Sequence, residues 1–435
     1  MSSIVYVVHC VDAEGPLKET YQATFERIKE IWGITIEPTK ENLKRIQNKE
    51  IELDGHENTI AELAHPTLLN YNDNWDKLNT MLADITSNEY RNRFKDSFGN
   101  GWIWSWFCLD HVGCINNPRQ RDIGYHKVFD RYIELQKSTE NNSDGINFHY
   151  HPVPISRSAI HCATSYFGHS DTLYQILSRK IIDRSWFPSV FRPGYSTIRP
   201  DSHWFLEQYI PFDFGNHACE IDSKPHPDLH TGRFGDWRRA PRHWTPYHPA
   251  HEDYQLEGNC KRLIMRCLNV RTRLYFLKQS DVDQAFVEAK DGKPVVLSFS
   301  YHDMRAMRPD IDHVCKLLLS SKKRFPEIKF KYCEAKSAVR QAMNINSDPA
   351  IKLNMLIEDN RLRVRSSQPT FGPQPFLAIK TKGGDYYHDN FDFQIPYREW
   401  TYTFDIQTLP LEEVSAIGVA SCDNSGNTSV MVKKF

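Results

Sequence analysis

The sequence predicts an α/β protein: a mainly parallel sheet or barrel, interrupted by a helical insertion and followed by a small antiparallel β-sandwich. Two observations predict it. Short β-branched and aromatic runs alternate with amphipathic helical patterns through residue 345 or so. From about residue 350 the pattern changes to apolar–polar alternation punctuated by turn residues.

The strand-like runs of the first part are Ile4–His9, Ile103–Leu109, Ile146–Tyr150, Ser189–Arg192, Val295–Tyr301 and Lys329–Tyr332. Helical spacing lies between them, at Asp122–Lys137, Asp171–Ile181 and Asp310–Lys323. Residues 17–100 form an insertion rich in helix formers and charge, with helices expected at Leu17–Trp32, Lys40–Asn48 and Asn74–Ile85. It reads as a lid or packing layer without chemistry of its own. In the last part, alternating runs at 353–366, 375–383, 401–409 and 415–423 are separated by turns such as Glu358-Asp359-Asn360 and Gly383-Gly384. The expected domains are therefore 1–345 and 350–435.

Composition narrows the function classes. With 40% hydrophobic and 25% charged residues, the 435-residue chain is not a disordered one. A net charge of -1 supplies no field for nucleic acid or an anionic membrane. The ten cysteines form no CxxC pair, which argues against a zinc ribbon and for a reducing compartment. The apolar run Ile4–Val8 is too short for a signal peptide, and no stretch of about 20 apolar residues is present to span a bilayer. A cytoplasmic protein with no nucleic-acid partner and no membrane span is expected.

What ends each strand is more informative. The first run leads into Asp12-Ala13-Glu14, and two carboxylates at a strand end are costly without a metal or proton to compensate them. The third ends in His149-Tyr150-His151, whose imidazoles, two residues apart on an extended strand, point to the same side. Two His and a carboxylate suit one catalytic divalent metal with open positions for water. Arg192-Pro193-Gly194-Tyr195 ends the next run, and His302-Asp303 ends the run Val295–Tyr301. Taken singly, each is an ordinary surface turn or a core histidine. Four strands that deliver polar residues at the same end are much harder to obtain by chance, because chemistry in parallel α/β folds sits at the C-terminal strand ends.

In this order the motifs resemble the polysaccharide deacetylase family, the carbohydrate esterase family 4-like proteins, over roughly residues 1–345. The resemblance implies a distorted (β/α) barrel of about seven strands. It implies Asp12 as general base, Glu14, His149 and His151 as metal ligands, and Arg192 as the group that orients the base. It further implies the Tyr195 backbone N–H as an oxyanion donor and His302 as general acid. Zinc is the first expectation for the metal, with cobalt, nickel or manganese also suited to the ligands. Two departures stand out. The family's His pair is spaced i, i+4 and this one i, i+2, which leaves His161 as a substitute for His151. The fourth motif, an Asp-Trp element, is matched only loosely by Asp236-Trp237, with Asp213 competing.

Residues 236–254 hold two Trp, two Tyr, three His and three Arg. Aromatic faces stack on sugars and Arg reads carboxylate or phosphate, so Asp236, Trp237 and Tyr247, with Tyr195 and Asp303, are the expected substrate contacts. The bland reading is a long loop that packs its own aromatics on the barrel. The expected function is a metal-dependent hydrolase that removes an N-acyl or O-acyl group from a small carbohydrate-derived substrate, a nucleotide sugar among the candidates, in the synthesis of a cell-surface polysaccharide such as O-antigen or capsule. Its rivals are a hydrolase of the same fold acting on a small non-sugar amide or cyclic imide, and a non-catalytic glycan-binding or assembly protein.

Overall fold

A computed structural model describes residues 3–115, 117–139, 143–152, 157, 171–220, 235–270 and 276–435. Seven parallel strands close into a barrel: β1 (Ile4–Ala13), β2 (Trp104–Cys108), β3 (Gly145–Tyr150), β4 (Val190–Pro193), β5 (Phe212–Asn216), β6 (Leu263–Asn269) and β7 (Val295–His302). Closure runs through β1, which bonds β7 along one edge from Val5 to Asp12. Its other edge is shared: β8 (Lys329–Tyr332) takes Ile4–Val7, and β2 takes His9–Ala13. A strand buried on both faces must be apolar nearly throughout, and the run IVYVVHCV of β1 is so.

Two barrel strands escape the sequence reading. β5 is only five residues long and carries Asp213, Gly215 and Asn216. β6 has Arg266 at its centre, which breaks the apolar run. That guanidinium is compensated by the Ala218 carbonyl and Asp281, and it lies over the Trp244 ring. The helix expected from Asp122 begins instead at Lys127, because Gly124 bridges to His111 and His126 takes a left-handed conformation.

The insertion folds as α1 (Tyr21–Trp32), α2 (Lys40–Gln47), α3 (Glu57–Leu63), α4 (Pro66–Leu69), α5 (Trp75–Thr86) and α6 (Asn88–Arg91). The side chains of Thr20, Thr39 and Asn74 cap α1, α2 and α5. The first three helices share a small core around Phe25, Ile28, Ile46 and Ile60, while α5 joins the barrel core through Leu78, Leu82 and Ile85. On the barrel's flank run α7 (Lys127–Ser138), α8 (Thr172–Arg184) and α9 (Pro200–Tyr209).

Residues from Leu353 onward make two four-stranded antiparallel sheets packed face to face. One contains β9 (Leu353–Glu358), β10 (Arg361–Ser366), β13 (Asp392–Ile395) and β14 (Glu399–Thr403). The other contains β11 (Phe376–Thr381), β12 (Tyr386–Asp389), β15 (Val414–Cys422) and β16 (Thr428–Lys434). The outer face of the second sheet shares a core with α8 and α9. At Gly418 a Cβ would lie 2.4 Å from the Ile181 side chain, so only glycine permits that approach. No described helix is long and apolar enough to cross a membrane.

His203 on α9 shows how a buried imidazole is kept neutral. Its Nδ1 accepts from the Arg262 guanidinium at 2.9 Å and its Nε2 donates to the Ala250 carbonyl at 3.0 Å. Burial, with Arg262 beside it, pushes its pKa down to about 4. The unfolded chain takes up this proton near its ordinary pKa of about 6.5, so stability falls as pH drops through the window between the two values. Between pH 7 and pH 5 the wild type should lose about 2 kcal/mol more than His203→Gln in chemical denaturation. Equal losses in the two proteins would mean that His203 is already protonated in the folded state.

Candidate metal and catalytic site

The ends of β1, β3, β4 and β7 bring the polar residues to one mouth, and strand register does much of the positioning. Asp12 lies directly opposite His302 across the β1–β7 pair. His149 lies opposite Arg192 across β3–β4. Arg192 then spans the barrel: its Nε donates to Asp12 Oδ1 at 2.7 Å, its Nη1 to the Phe214 carbonyl and its Nη2 to Ser300 Oγ. Ser300 continues the chain by donating to Asn269 Oδ1 at 3.0 Å. His217 bonds Asn269 and Ser196 in turn. The guanidinium is thus held in one orientation by a hydrogen-bonded belt around the barrel interior.

Glu14, His149 and His151 form a metal-competent group, with one ligand atom from each lying within 4.8 Å of the others. His151 Nε2 is 3.0 Å from His149 Nε2 and 3.4 Å from Glu14 Oε1, and His149 Nε2 is 3.8 Å from that same oxygen. Ligands at about 2.1 Å on a tetrahedral zinc stand about 3.4 Å apart, so this spacing fits one ion. The tautomer fits as well. His149 Nδ1 lies 2.8 Å from the Arg192 carbonyl, an obligate acceptor, which assigns the proton to Nδ1 and leaves the Nε2 lone pair for a cation. Close packing sets His151: a Cβ at Gly194 would fall 2.3 Å from its ring, and the Tyr195 ring stands edge-on to it at 5.1 Å. His161, the alternative ligand, lies outside the described residues.

Charge at the mouth is balanced residue by residue. Burial alone would raise the Asp12 pKa, but Arg192, with His149 and His302, overrides it and holds the carboxyl below its usual range. Burial acts on Glu14 in the same sense. Arg121, whose Nη2 stands 2.8 Å from Glu14 Oε2, outweighs it together with His151 and brings Glu14 well below the ordinary value. His149 is raised, because Asp12 and Glu14 overcome its burial. For His151 burial wins over Glu14, and its pKa is lowered.

His302 Nε2 stands 3.8 Å from Asp12 Oδ2 and 3.6 Å from Glu14 Oε1, beside both carboxylates. Burial pushes its pKa down to about 4 against the pull of Glu14 and Asp12. The resemblance implies a general acid at this position, and such a group must first take up a proton, since this pKa leaves the imidazole neutral at pH 7.

Several expected substrate contacts are engaged within the chain itself. Asp303 is fully buried and turned inward. It accepts from the Glu14 and Gly15 backbone N–H groups at 3.0 and 2.9 Å and from the Tyr132 hydroxyl at 2.7 Å. Burial pushes its pKa up to about 7 despite these donors. Asp236 spends its carboxylate on Arg238 of its own loop. Trp237 is buried against Tyr254 and donates to the Ser196 carbonyl. Tyr247 donates to the Tyr254 carbonyl and pairs with Ile264 at the start of β6. Trp244 bonds Val296 near the start of β7. The segment therefore leaves the mouth near Trp237 and descends the flank toward the opposite end of the barrel, with its aromatics used for packing. Asp213, the competing motif residue, is buried beside Arg262, and burial raises its pKa to about 6.

Sequence reasoning missed Arg121 and His111, both on the loop after β2. His111 Nε2 donates to the Glu14 carbonyl at 2.7 Å. The available signal was position: Asn117–Asp122 is a polar, arginine-bearing loop that follows a strand's C-terminal end.

No family model matches the chain, and no curated protein matches it. Among solved structures, a Cellulomonas fimi endo-beta-1,4-mannanase double mutant aligns over 82% of this chain and 69% of that chain, at 7% identity. Its TM-score of 0.19 is too low to carry an argument about fold or function.

Asp303 touches no ligand atom of the metal group yet fixes the backbone on which Glu14 sits. Asp303→Ala should weaken zinc affinity about 10–100-fold, the usual weight of a group that orients a ligand. Isothermal titration, with circular dichroism to check folding, tests this. Unchanged affinity in a folded variant would show that Glu14 is positioned without it.

Proposed function

We propose that the protein is a metal-dependent hydrolase that removes an N-acyl or O-acyl group from a carbohydrate-derived substrate. One observation carries the reading: a Glu–His–His group of metal spacing stands beside a buried Asp12–Arg192 pair and His302. The family resemblance supplies the sugar part of the substrate.

Glu14, His149 and His151 would hold one divalent cation, an N/O set without thiolate that suits zinc first and cobalt, nickel or manganese next. Such an ion, when bound, acidifies water and polarises a carbonyl. Asp12 has one oxygen, Oδ1, tied to Arg192, which leaves Oδ2 to take the proton of the attacking water. Arg192 keeps that carboxylate ionised until the proton arrives. His302 Nε2, close to Oδ2 and neutral at rest, receives this proton and delivers it to the leaving amine or alcohol. Tyr195 follows Gly194 in a left-handed turn beside His151, and its backbone N–H would serve as a donor to the tetrahedral oxyanion.

The test is release of free acid from a panel of N-acyl and O-acyl sugars and nucleotide sugars by the metal-loaded protein. Asp12→Asn and His302→Ala should each lower kcat about 10²–10⁴-fold with the metal retained. Turnover at the wild-type rate in either variant would reject the assigned roles. Activity confined to small non-sugar amides or cyclic imides would keep the chemistry and overturn the substrate.

A further inference from the structure

Beside the metal-competent group, segments from distant parts of the chain carry arginines to one place. The Asn72 N–H donates to the Met304 carbonyl at 2.7 Å, the Leu17 N–H to the Asn72 carbonyl at 3.0 Å and the Lys18 N–H to the Arg119 carbonyl at 3.0 Å. These bonds lay the segments that follow β1, β2 and β7 side by side, with residues 71–72 of the insertion among them. The loop after β2 is fixed internally as well. Asn117 Oδ1 accepts from the Arg121 N–H and Asn117 Nδ2 donates to the Arg121 carbonyl, each at 2.8 Å. Four guanidiniums meet here, those of Arg27 on α1, Arg119, Arg121 and Arg305.

Their charge is only partly met. Glu19 is shared by Arg27, at 3.8 Å, and Arg119, at 3.2 Å. Arg121 takes one oxygen of Glu14, and Asp310 acts on Arg305. A cation on Glu14, His149 and His151 would claim Glu14 too and enlarge the excess. Arg119 Nη2, Arg121 Nη1 and Arg305 Nε lie buried with no hydrogen-bond partner among the described residues. A buried N–H on a charged group is costly to leave unmet. Tyr71 reports the same imbalance. Burial alone would push its phenol up, yet Arg305, whose Nη2 donates to its hydroxyl at 3.2 Å, brings it down to about 8 together with Arg27 and Arg119. Attachment of the insertion to the barrel explains Glu19 with Arg27 and Arg119. It does not explain Arg305, which stands over the Tyr71 ring at 5.1 Å and adds a further like charge.

The cluster adjoins the catalytic residues. Arg121 Nη2 is 2.8 Å from Glu14 Oε2, and Arg305 lies three residues beyond His302. Arg119 and Arg121 keep 14% and 13% of their side chains exposed, so part of each fork is within reach of a ligand. Guanidinium forks match the paired oxygens of a phosphate or a carboxylate.

We propose that the substrate of this mouth is acidic: a phosphate or carboxylate on the sugar derivative is held by Arg119, Arg121 and Arg305, beside the metal position that receives its acyl group. The proposal deepens the hydrolase reading and rests on it for the acyl group, but oxyanion binding itself needs neither metal nor turnover. Isothermal titration of the full chain, zinc-loaded and EDTA-treated, with α-D-glucose 1-phosphate, D-glucuronate and methyl α-D-glucoside tests it. At least one of the two acids should bind about tenfold or more tighter than the neutral glucoside, in the EDTA-treated chain too, and more weakly as salt rises. The acid that binds tells phosphate from carboxylate. Arg119→Gln and Arg305→Gln should each weaken acid binding about tenfold, the weight of a hydrogen bond to a charged group. Because Arg119 also pairs with Glu19, Arg305→Gln keeps the test valid if Arg119→Gln fails to fold. Acids that bind no tighter than the glucoside, acid binding that vanishes with the metal, or wild-type affinity in the folded variants would overturn the proposal. Each of those results would leave the hydrolase reading standing, and absence of turnover would leave the oxyanion site standing.

Discussion

Asp12 and Glu14 are two residues apart at the end of β1, and both are buried, at 3% and 4% exposure. Each carboxylate, taken alone, would be driven to protonate by its loss of water. Both are instead held ionised, Asp12 by Arg192 and Glu14 by Arg121, with imidazoles completing the shell. Much of the mouth follows from that need. Arg192 must cross the barrel, so Ser300, Asn269 and His217 line up to fix it. Glu14 must face the His pair, so Asp303 pins the two backbone N–H groups at Glu14 and Gly15 from beneath.

Strand register turns this electrostatic requirement into geometry. Asp12 opposite His302 and His149 opposite Arg192 are neighbours because the strands that carry them are hydrogen-bonded at those residues. A one-residue slip of β3 would send both imidazoles to the other face of the strand. The neutral state of His302 belongs to the same balance. Two carboxylates pull its pKa up, and burial pulls it further down.

How much of this was legible in the sequence depended on periodicity and on strand ends. β1 and β7 could be read because long apolar runs led straight into charged residues. β5 and β6 could not, because Asp213 and Arg266 sit inside them and find their partners, Arg262 and Asp281, only in the folded chain. The metal group was readable because i and i+2 share a face of a strand. Arg121 was not, since nothing local says that a loop arginine 107 residues away reaches Glu14. The segment 236–254 misled for the opposite reason: dense aromatics and arginines resemble a binding surface, yet Trp237, Trp244 and Tyr247 are buried and bonded to backbone.

The account rests on one cation held by Glu14, His149 and His151. A crystal structure of the zinc-loaded protein, with anomalous differences recorded at the zinc edge, tests it most directly. The predicted result is a single strong peak within about 2.0–2.2 Å of Glu14 Oε1, His149 Nε2 and His151 Nε2. It would be contradicted by zinc bound elsewhere, or by a metal-free mouth with the two imidazoles still hydrogen-bonded to each other.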